Sequence, residues 1–296
     1  MTNRRKNILI TGATSGIGEA LALHYAKTEA KNLFICGRNG DRLNIVENKC
    51  RNLGAAVFAK IIDVTDRNTM EEWIAECNQK AALNIVIANA GIGTINENTD
   101  SIYKTFETNV GGVLNTVLPA IADYRKHVKA QEENASSLDK FINKKKKEKK
   151  AFYIPFWQRL HLGKSGVEFF HEDSLSVAIV SSIAGYHGLP TCPSYSASKA
   201  CVKAWGEAMR LKLKKERINV NVVCPGFVRS RITDQNTCPM PFFMEADKAA
   251  EIIAKGIEKN KGIIAFPWQL RFATWLVSIL PNWLSDKIYG RLPDKA

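Results

Sequence analysis

One tyrosine and one lysine of the sequence stand four positions apart, a spacing that puts two side chains on one face of a helix. They are Tyr195 and Lys199, in the segment SYSASKACVKAW. A lysine ammonium ion beside a tyrosine hydroxyl stabilises the tyrosinate, so the tyrosine can give and take a proton. With seven Tyr and 28 Lys in 296 residues, about 0.7 such pairs are expected by chance. The spacing alone does not establish chemistry.

A glycine-rich loop near the N-terminus is the second candidate. The segment TGATSGIG, residues 11–18, follows an apolar run and precedes a helical pattern. Gly12, Gly16 and Gly18 allow a tight turn and a close approach to a pyrophosphate, which the N-terminus of the following helix attracts. The loop therefore predicts dinucleotide binding. The alternative is a glycine turn that serves packing alone.

These residues need a scaffold, and the chain alternates short β-branched runs with longer amphipathic stretches. Continuous apolar strands separated by helices predict a parallel sheet covered on both faces. We expect a doubly wound, Rossmann-type α/β fold in a single domain, residues 1–296. The seven predicted strands are residues 7–13, 32–38, 56–64, 83–91, 176–185, 218–226 and 261–267. Ligands of such sheets bind beyond the carboxyl ends of the strands, where Ser182, Tyr195 and Lys199 would converge.

The motifs, taken in chain order, resemble those of the short-chain dehydrogenase/reductase family in its classical form. The glycine spacing is G-x-x-x-G-x-G, and the resemblance covers residues 7 to about 267 apart from an insertion. The other matching positions are Asp63-Val64, Asn89-Ala90-Gly91, Asn109, Ser181-Ser182, Tyr195 with Lys199, and Pro225-Gly226. The resemblance implies an oxidoreductase that interconverts an alcohol and a carbonyl by hydride transfer, and usually a homodimer or homotetramer.

Four residues are assigned to catalysis. Tyr195 would be the general acid/base, Lys199 would stabilise its tyrosinate, and Ser182 would hydrogen-bond the carbonyl oxygen. The family also implies that Lys199 binds the nicotinamide ribose and that Asn109 holds a water linking the lysine to solvent. Because this fold also carries non-enzymes, a catalytically silent cofactor-binding sensor or a membrane-associated interaction protein is the alternative.

The expected cofactor is NADP(H), with NAD(H) as the alternative. Arg38 lies twenty residues past Gly18 and can pair with a 2′-phosphate, and Gly37 leaves no carboxylate to repel it. Against this, position 15 is Ser where many NADPH-dependent members carry a basic residue. In the family Asp63 faces the adenine ring, although a strand-end cap explains it equally well. The residues assigned to the cofactor are Gly12, Thr14, Ser15, Gly16, Ile17, Gly18, Arg38, Asp63, Val64, Asn89, Ala90, Gly91, Tyr195, Lys199, Pro225, Gly226, Val228 and Ser230.

Composition limits the other classes of function. Seven scattered Cys without a C-x-x-C pair fit neither a disulfide framework nor a metal site, and no metal is expected. There is no signal-peptide pattern and no run of 18 apolar residues, so a cytoplasmic chain is expected. The segment PMPFF, with Leu189 and Pro190, favours an apolar pocket and a lipophilic aldehyde, ketone or alcohol.

Two segments do not follow the alternating pattern. Residues 125–173 stand where a short connection would suffice, and residues 268–296 form an apolar, Trp-rich extension. Of the net charge of +13, +8 lies between Lys140 and Lys164. Such a basic, aromatic stretch suits either a solvated loop or an anionic membrane surface. Peripheral membrane contact through 140–164 and 268–292 is therefore one prediction. Packing over the pocket or in an oligomer interface is an equal alternative for the C-terminal segment, and no nucleic-acid module is recognisable.

Overall fold

One sheet of seven parallel strands organises the protein. A computed structural model describes residues 6–93, 97–147, 174–235 and 239–289. The strand order is β3-β2-β1-β4-β5-β6-β7. The strands are β1 (Lys6–Thr11), β2 (Ala30–Gly37), β3 (Ala56–Ile61), β4 (Ile85–Ala88), β5 (Leu175–Val180), β6 (Ile218–Pro225) and β7 (Ile263–Phe266). All seven predicted strands form, and the doubly wound fold is confirmed.

Helices cover both faces of the sheet, as the crossover connections of parallel strands require. One layer contains α1 (Gly16–Thr28), α2 (Gly40–Asn52) and α7 (Ala246–Glu258). The other contains α3 (Arg67–Lys80), α5 (Gly112–Lys147) and α6 (Pro193–Leu213). The remaining helices are α4 (Thr99–Phe106), a π-helical turn at Glu107–Gly111, α8 (Trp268–Ser278) and α9 (Asn282–Tyr289). Because both faces of the sheet are covered, the inner strands are rich in apolar residues, and β4 at the centre is wholly apolar and buried.

The first part of the expected insertion, residues 125–147, is helical. Helix α5 continues without a break to Lys147, because residues 125–147 contain no Gly or Pro and are rich in good helix formers. Arg125 also fixes this part of the helix to the protein body through two hydrogen bonds to Glu216, of 2.6 and 2.9 Å. Residues 148–173, which hold four of the nine Lys and Arg of the basic block, lie outside the described residues.

The C-terminal extension forms two short helices, α8 and α9, directly after β7. Within the described ranges, none of the helices is both long enough and apolar enough to cross a bilayer. Residues 290–296, the last part of the predicted extension, lie outside the described residues.

Candidate active site

The glycine loop connects β1 to the first turn of α1 in a conformation that favours glycine. Gly12 has φ +67° and Gly16 has φ +56°, both in the left-handed region. A Cβ on Gly12 would stand 2.7 Å from the Cα of Ala90. The Asn89 side chain donates to the carbonyls of Thr11, at 3.0 Å, and Gly12, at 3.2 Å. The loop is thus fixed against the end of β4, with the N-terminus of α1 at the carboxyl edge of the sheet.

A cavity of about 350 Å³ runs along this edge. Eighteen of the predicted site residues line it: Gly12, Thr14, Ser15, Gly16, Ile17, Arg38, Asp63, Val64, Asn89, Ala90, Gly91, Ser182, Tyr195, Lys199, Pro225, Gly226, Val228 and Ser230. Gly18 and Asn109 lie behind the lining instead. Gly18 packs so closely on the Gly12 carbonyl that a side chain there would collide with the loop.

The cationic end of the cavity lies where β2 and β3 end. Arg38 Nη1 is 3.6 Å from Asp63 Oδ2, and both side chains are largely exposed. Asp63 Oδ1 also accepts hydrogen bonds from the backbone and hydroxyl of Thr65, at 3.0 and 2.9 Å, so this carboxylate caps the turn after β3. Burial opposes its ionisation, but the Thr65 hydrogen bonds and the Arg38 guanidinium prevail and lower the pKa of Asp63.

Arg42 lies at the same end of the cavity, and the sequence analysis did not identify it. It belongs to the first turn of α2, whose N-cap Asn39 accepts a 2.9 Å hydrogen bond from the Arg42 backbone. Its side chain lines the cavity, and its Nε is buried with no hydrogen-bond partner among the described residues. A buried, unpaired donor of a charged group is unfavourable and indicates an anionic ligand. The sequence signal that could have identified Arg42 is its position four residues after Arg38.

The reactive end of the cavity is formed by residues that follow β5. Tyr195 and Lys199 lie on the first two turns of α6, with Lys199 Nζ 5.8 Å from the centre of the Tyr195 ring. Lys199 is only 4% exposed and donates a 2.9 Å hydrogen bond to the Val180 carbonyl at the end of β5. Ser182 lies two residues after the end of β5, and its side chain hydrogen-bonds the Tyr195 hydroxyl. Tyr195, Lys199 and Ser182 therefore share one wall of the cavity.

Burial shifts the pKa values of the tyrosine and the lysine in opposite directions. It raises the pKa of Tyr195 to about 12, although the hydrogen bond with Ser182 acts against this. It lowers the pKa of Lys199 to about 8. Both shifts have the same cause, because a low-dielectric site disfavours the charged form of either group. At pH 7 the site therefore holds a neutral tyrosine and a protonated lysine.

Asn109 lies in the π-helical turn between α4 and α5, fully buried. Its amide exchanges hydrogen bonds with the backbone of Ile92, at 2.8 and 2.9 Å, and donates to Ser198 Oγ at 3.0 Å. A Cβ on Gly91 would be 3.2 Å from both Asn109 Oδ1 and Lys199 Nζ, so the amide and the ammonium flank the same glycine. Asn109 thus fixes the cavity wall beside Lys199, and π-helical turns are frequent at functional sites.

Glu97 is a second residue that the sequence analysis did not identify. Its carboxylate accepts hydrogen bonds from the Ser194 backbone, at 3.0 and 3.1 Å, and from the Ser194 hydroxyl at 2.7 Å. It therefore caps the N-terminus of α6, one residue before Tyr195, where a negative charge is favourable. The loop after β4 and helix α6 are fixed to each other by this contact.

Tyr186 and His187 line a different cavity, of about 690 Å³, formed with Leu189, Pro190 and the opposite side of α6. The Tyr186 ring lies over Lys203, with Nζ 4.7 Å from its centre. Burial raises the pKa of Tyr186 to about 12. Tyr195 is not among the residues that line this second cavity.

Comparisons with known proteins agree with this geometry. The family model described as short chain dehydrogenase matches residues 6–138 and 165–239. A protein of Myxococcus xanthus described as an uncharacterized oxidoreductase is 31% identical and the match covers 97% of each chain. The 11-beta-hydroxysteroid dehydrogenase-like 4A protein of Arabidopsis thaliana is 26% identical over 95% of this chain and 83% of its own.

The solved structures similar to this fold include a short-chain dehydrogenase from Sphingobium yanoikuyae in complex with NADPH. It superposes with a TM-score of 0.66 at 20% identity, covering 93% of this chain and 96% of its own. The gap between the two stretches matched by the family model nearly coincides with the basic block 140–164. The chain therefore belongs to the short-chain dehydrogenase family of oxidoreductases.

Proposed function

We propose that the protein reversibly reduces a lipophilic ketone or aldehyde to the alcohol with NADP(H), using Tyr195 as the proton donor and acceptor. The observation that carries the proposal is the single cavity that joins the glycine loop and two arginines at one end to Tyr195, Lys199 and Ser182 at the other. A phosphate-binding cradle and a proton donor at two ends of one cleft suit hydride transfer to a carbonyl.

The residues of the cradle fit a nicotinamide dinucleotide phosphate. The glycine loop presents the N-terminus of α1 to a pyrophosphate. Arg42 offers a buried donor without a partner to a 2′-phosphate, and Arg38 stands beside it. When bound, this cofactor supplies the hydride in reduction and accepts it in oxidation.

In reduction, Ser182 and Tyr195 donate hydrogen bonds to the substrate oxygen, which gains negative charge as the carbonyl becomes an alkoxide. Tyr195 then gives its hydroxyl proton to that oxygen, and the resulting tyrosinate is stabilised by the Lys199 ammonium ion. Burial raises the pKa of Tyr195 to about 12 against the Ser182 hydrogen bond, so transfer near neutral pH relies on stabilisation of the developing tyrosinate by the Lys199 ammonium ion. In oxidation the same proton moves back from the alcohol to the tyrosinate.

The expected substrate is lipophilic because aliphatic side chains surround the tyrosine. A Cβ on Gly93 would be 3.0 Å from the Ile232 side chain and 3.6 Å from the Tyr195 ring, and both Ile92 and Ile232 line the cavity. Phe242 and Phe243 are exposed on the loop before α7. Several relatives are named for hydroxysteroids, which are alcohols of this apolar kind.

A second copy of the chain is the expected partner. Helix α4 packs on α6, which lies in the same layer as α5, and the exposed side chains of these helices include Tyr103, Leu118 and Leu211. Large apolar side chains in one layer are typical of subunit interfaces. We expect the protein to form a homodimer or homotetramer through these helices.

The test is consumption of NADPH and NADH with ketones and aldehydes of graded chain length. Wild-type protein is expected to turn over the longer substrates with NADPH. Tyr195→Phe, which keeps the ring but removes the proton, is expected to lose about 10²- to 10⁴-fold in kcat. NADPH binding without turnover of any substrate would favour the silent sensor. Turnover that survives the substitution would refute the assignment of Tyr195.

A further inference from the structure

Helix α8 exposes an apolar face that its own fold does not cover. The residues of this face are between 41% and 71% exposed, and they are Trp268, Phe272, Trp275, Leu276 and Ile279. At 3.6 residues per turn they fall within an arc of about 100°, so they form one continuous stripe. Trp283, on α9, is exposed as well. Within the stripe, the rings of Phe272 and Trp275 contact each other, with their centres 6.0 Å apart.

The opposite side of α8 holds the helix against the loops of the active site. Leu270 packs on Gly226, with its Cδ1 2.9 Å from the position of a Cβ there. The helix also contacts the turn Ile183–Tyr186, which directly follows Ser182. Because α8 is fixed to the body in this way, its stripe is held outward rather than being free to fold back.

An exposed cation lies at the border of the stripe. Between Lys261 and Asp286 the sequence contains no acidic residue. Arg271 is exposed and lies about 40° from Trp275 around the helix, at the edge of the stripe. The exposed Lys287 follows on α9. An apolar face with tryptophans and a cationic border complements an anionic lipid surface, where the indole rings lie at headgroup level.

We infer that α8 is an interfacial anchor, lying in the plane of an anionic bilayer with this stripe inserted among the lipids. The helix has 11 residues, which is too short to span a bilayer but suited to lie in its surface. The anchor places the loops around Ser182 and Gly226 next to the membrane. The inference concerns a surface outside the catalytic cavity and stands independently of the reaction proposed above.

Flotation of the full-length protein with phosphatidylcholine vesicles, with and without phosphatidylserine, tests the anchor. Phe272→Ser combined with Ile279→Ser removes two large apolar groups from the stripe without disturbing the core. Ile45→Ser combined with Leu53→Ser is the matched control, because these residues are similarly exposed near the opposite edge of the sheet. We expect the stripe variant to bind vesicles at least about tenfold more weakly and the control to bind like wild type.

Three outcomes would overturn the anchor. One is equal vesicle binding by the stripe variant and wild type, and another is absence of binding by wild type. The third is a stripe variant that forms a smaller oligomer than wild type but binds vesicles equally well, which would show that a second copy of the chain covers the stripe.

Quenching by brominated lipids gives an answer even if the serine variant misfolds. Wild-type tryptophan fluorescence is expected to be quenched, and Trp268→Phe, Trp275→Phe and Trp283→Phe together should remove most of that effect while keeping an apolar surface. Undiminished quenching in the triple variant would place the contact elsewhere. Neither vesicle flotation nor fluorescence quenching requires turnover, so a failure of the anchor can be distinguished from a failure of the proposed reaction.

Discussion

Replacing Arg42 by Met tests the cofactor preference most sharply. The change removes the guanidinium but keeps most of the aliphatic stem, at a position that lines the cavity. The Nε of Arg42 is buried and has no partner in the described structure, so the unbound protein loses no hydrogen bond there. We therefore expect the free energy of unfolding to stay the same or to rise.

The loss of cofactor affinity follows from the contact that Arg42 would make. A hydrogen bond to a charged group contributes about 1.5–3 kcal/mol, which corresponds to about 10- to 150-fold in the dissociation constant of NADPH. NADH has no 2′-phosphate, so its affinity should change little. To bind the 2′-phosphate, Arg38 must first leave Asp63, and breaking that partly exposed ion pair costs about 0–1 kcal/mol of its binding free energy. Arg38→Met is thus expected to have a smaller effect on NADPH than Arg42→Met.

Titration calorimetry with NADPH and NADH measures these affinities without knowledge of the substrate. Arg51→Met is the control, because Arg51 lies on the same helix, carries the same charge and is outside the cavity. An equal loss of affinity for both cofactors would refute the reasoning, since it would mean that Arg42 supports the loop rather than the phosphate. So would a wild-type protein that prefers NADH.

Three further predictions follow from the site and the helix layer. Glu97→Gln keeps the shape of the α6 cap but removes its charge. We expect kcat to fall about three- to tenfold in steady-state kinetics, with an unchanged circular dichroism spectrum. A kcat equal to that of wild type would refute the role of Glu97 in positioning α6. Leu118→Glu should reduce the oligomer to a smaller species in sedimentation velocity, whereas an unchanged mass would exclude this interface. Carbonyl reduction should decline above pH 8 as Lys199 loses its proton, and Lys199→Arg should remove that decline if it retains activity.

The fold and the grouping of the candidate site residues in one cavity could be predicted because their signals are local. The seven strands are continuous apolar runs, and the glycine loop and the pair Tyr195 and Lys199 are read from spacing within a few residues. The carboxyl edge of a parallel sheet then brings these local signals together without any knowledge of packing.

The features that were not predicted have two origins: a local helical signal that was set aside for the usual length of connections, and contacts made across the fold. The end of α5 was expected near residue 124 from the usual length of connections, but continuous helix-forming sequence prevails up to Lys147. Glu97 meets Ser194 across 97 positions of sequence, which no local pattern indicates. Asn109 was assigned from the resemblance, yet its π-helical turn and its bonds to Ile92 and Ser198 depend on tertiary packing.

Burial makes activity and stability depend on pH in opposite ways between pH 8 and 10. The pKa of Lys199 falls from 10.5 in the unfolded chain to about 8, so over this range the unfolded state binds more protons and the folded state gains stability as pH rises. The pKa of Tyr195 rises from 10 to about 12, so its contribution is present below pH 10 and is lost as pH rises toward 12. Activity, in contrast, should already fall above pH 8, where the neutral lysine no longer stabilises a tyrosinate. A loss of reduction at pH 9 in a protein that remains folded would therefore identify titration of Lys199, whereas loss of both together would mean that unfolding limits the reaction.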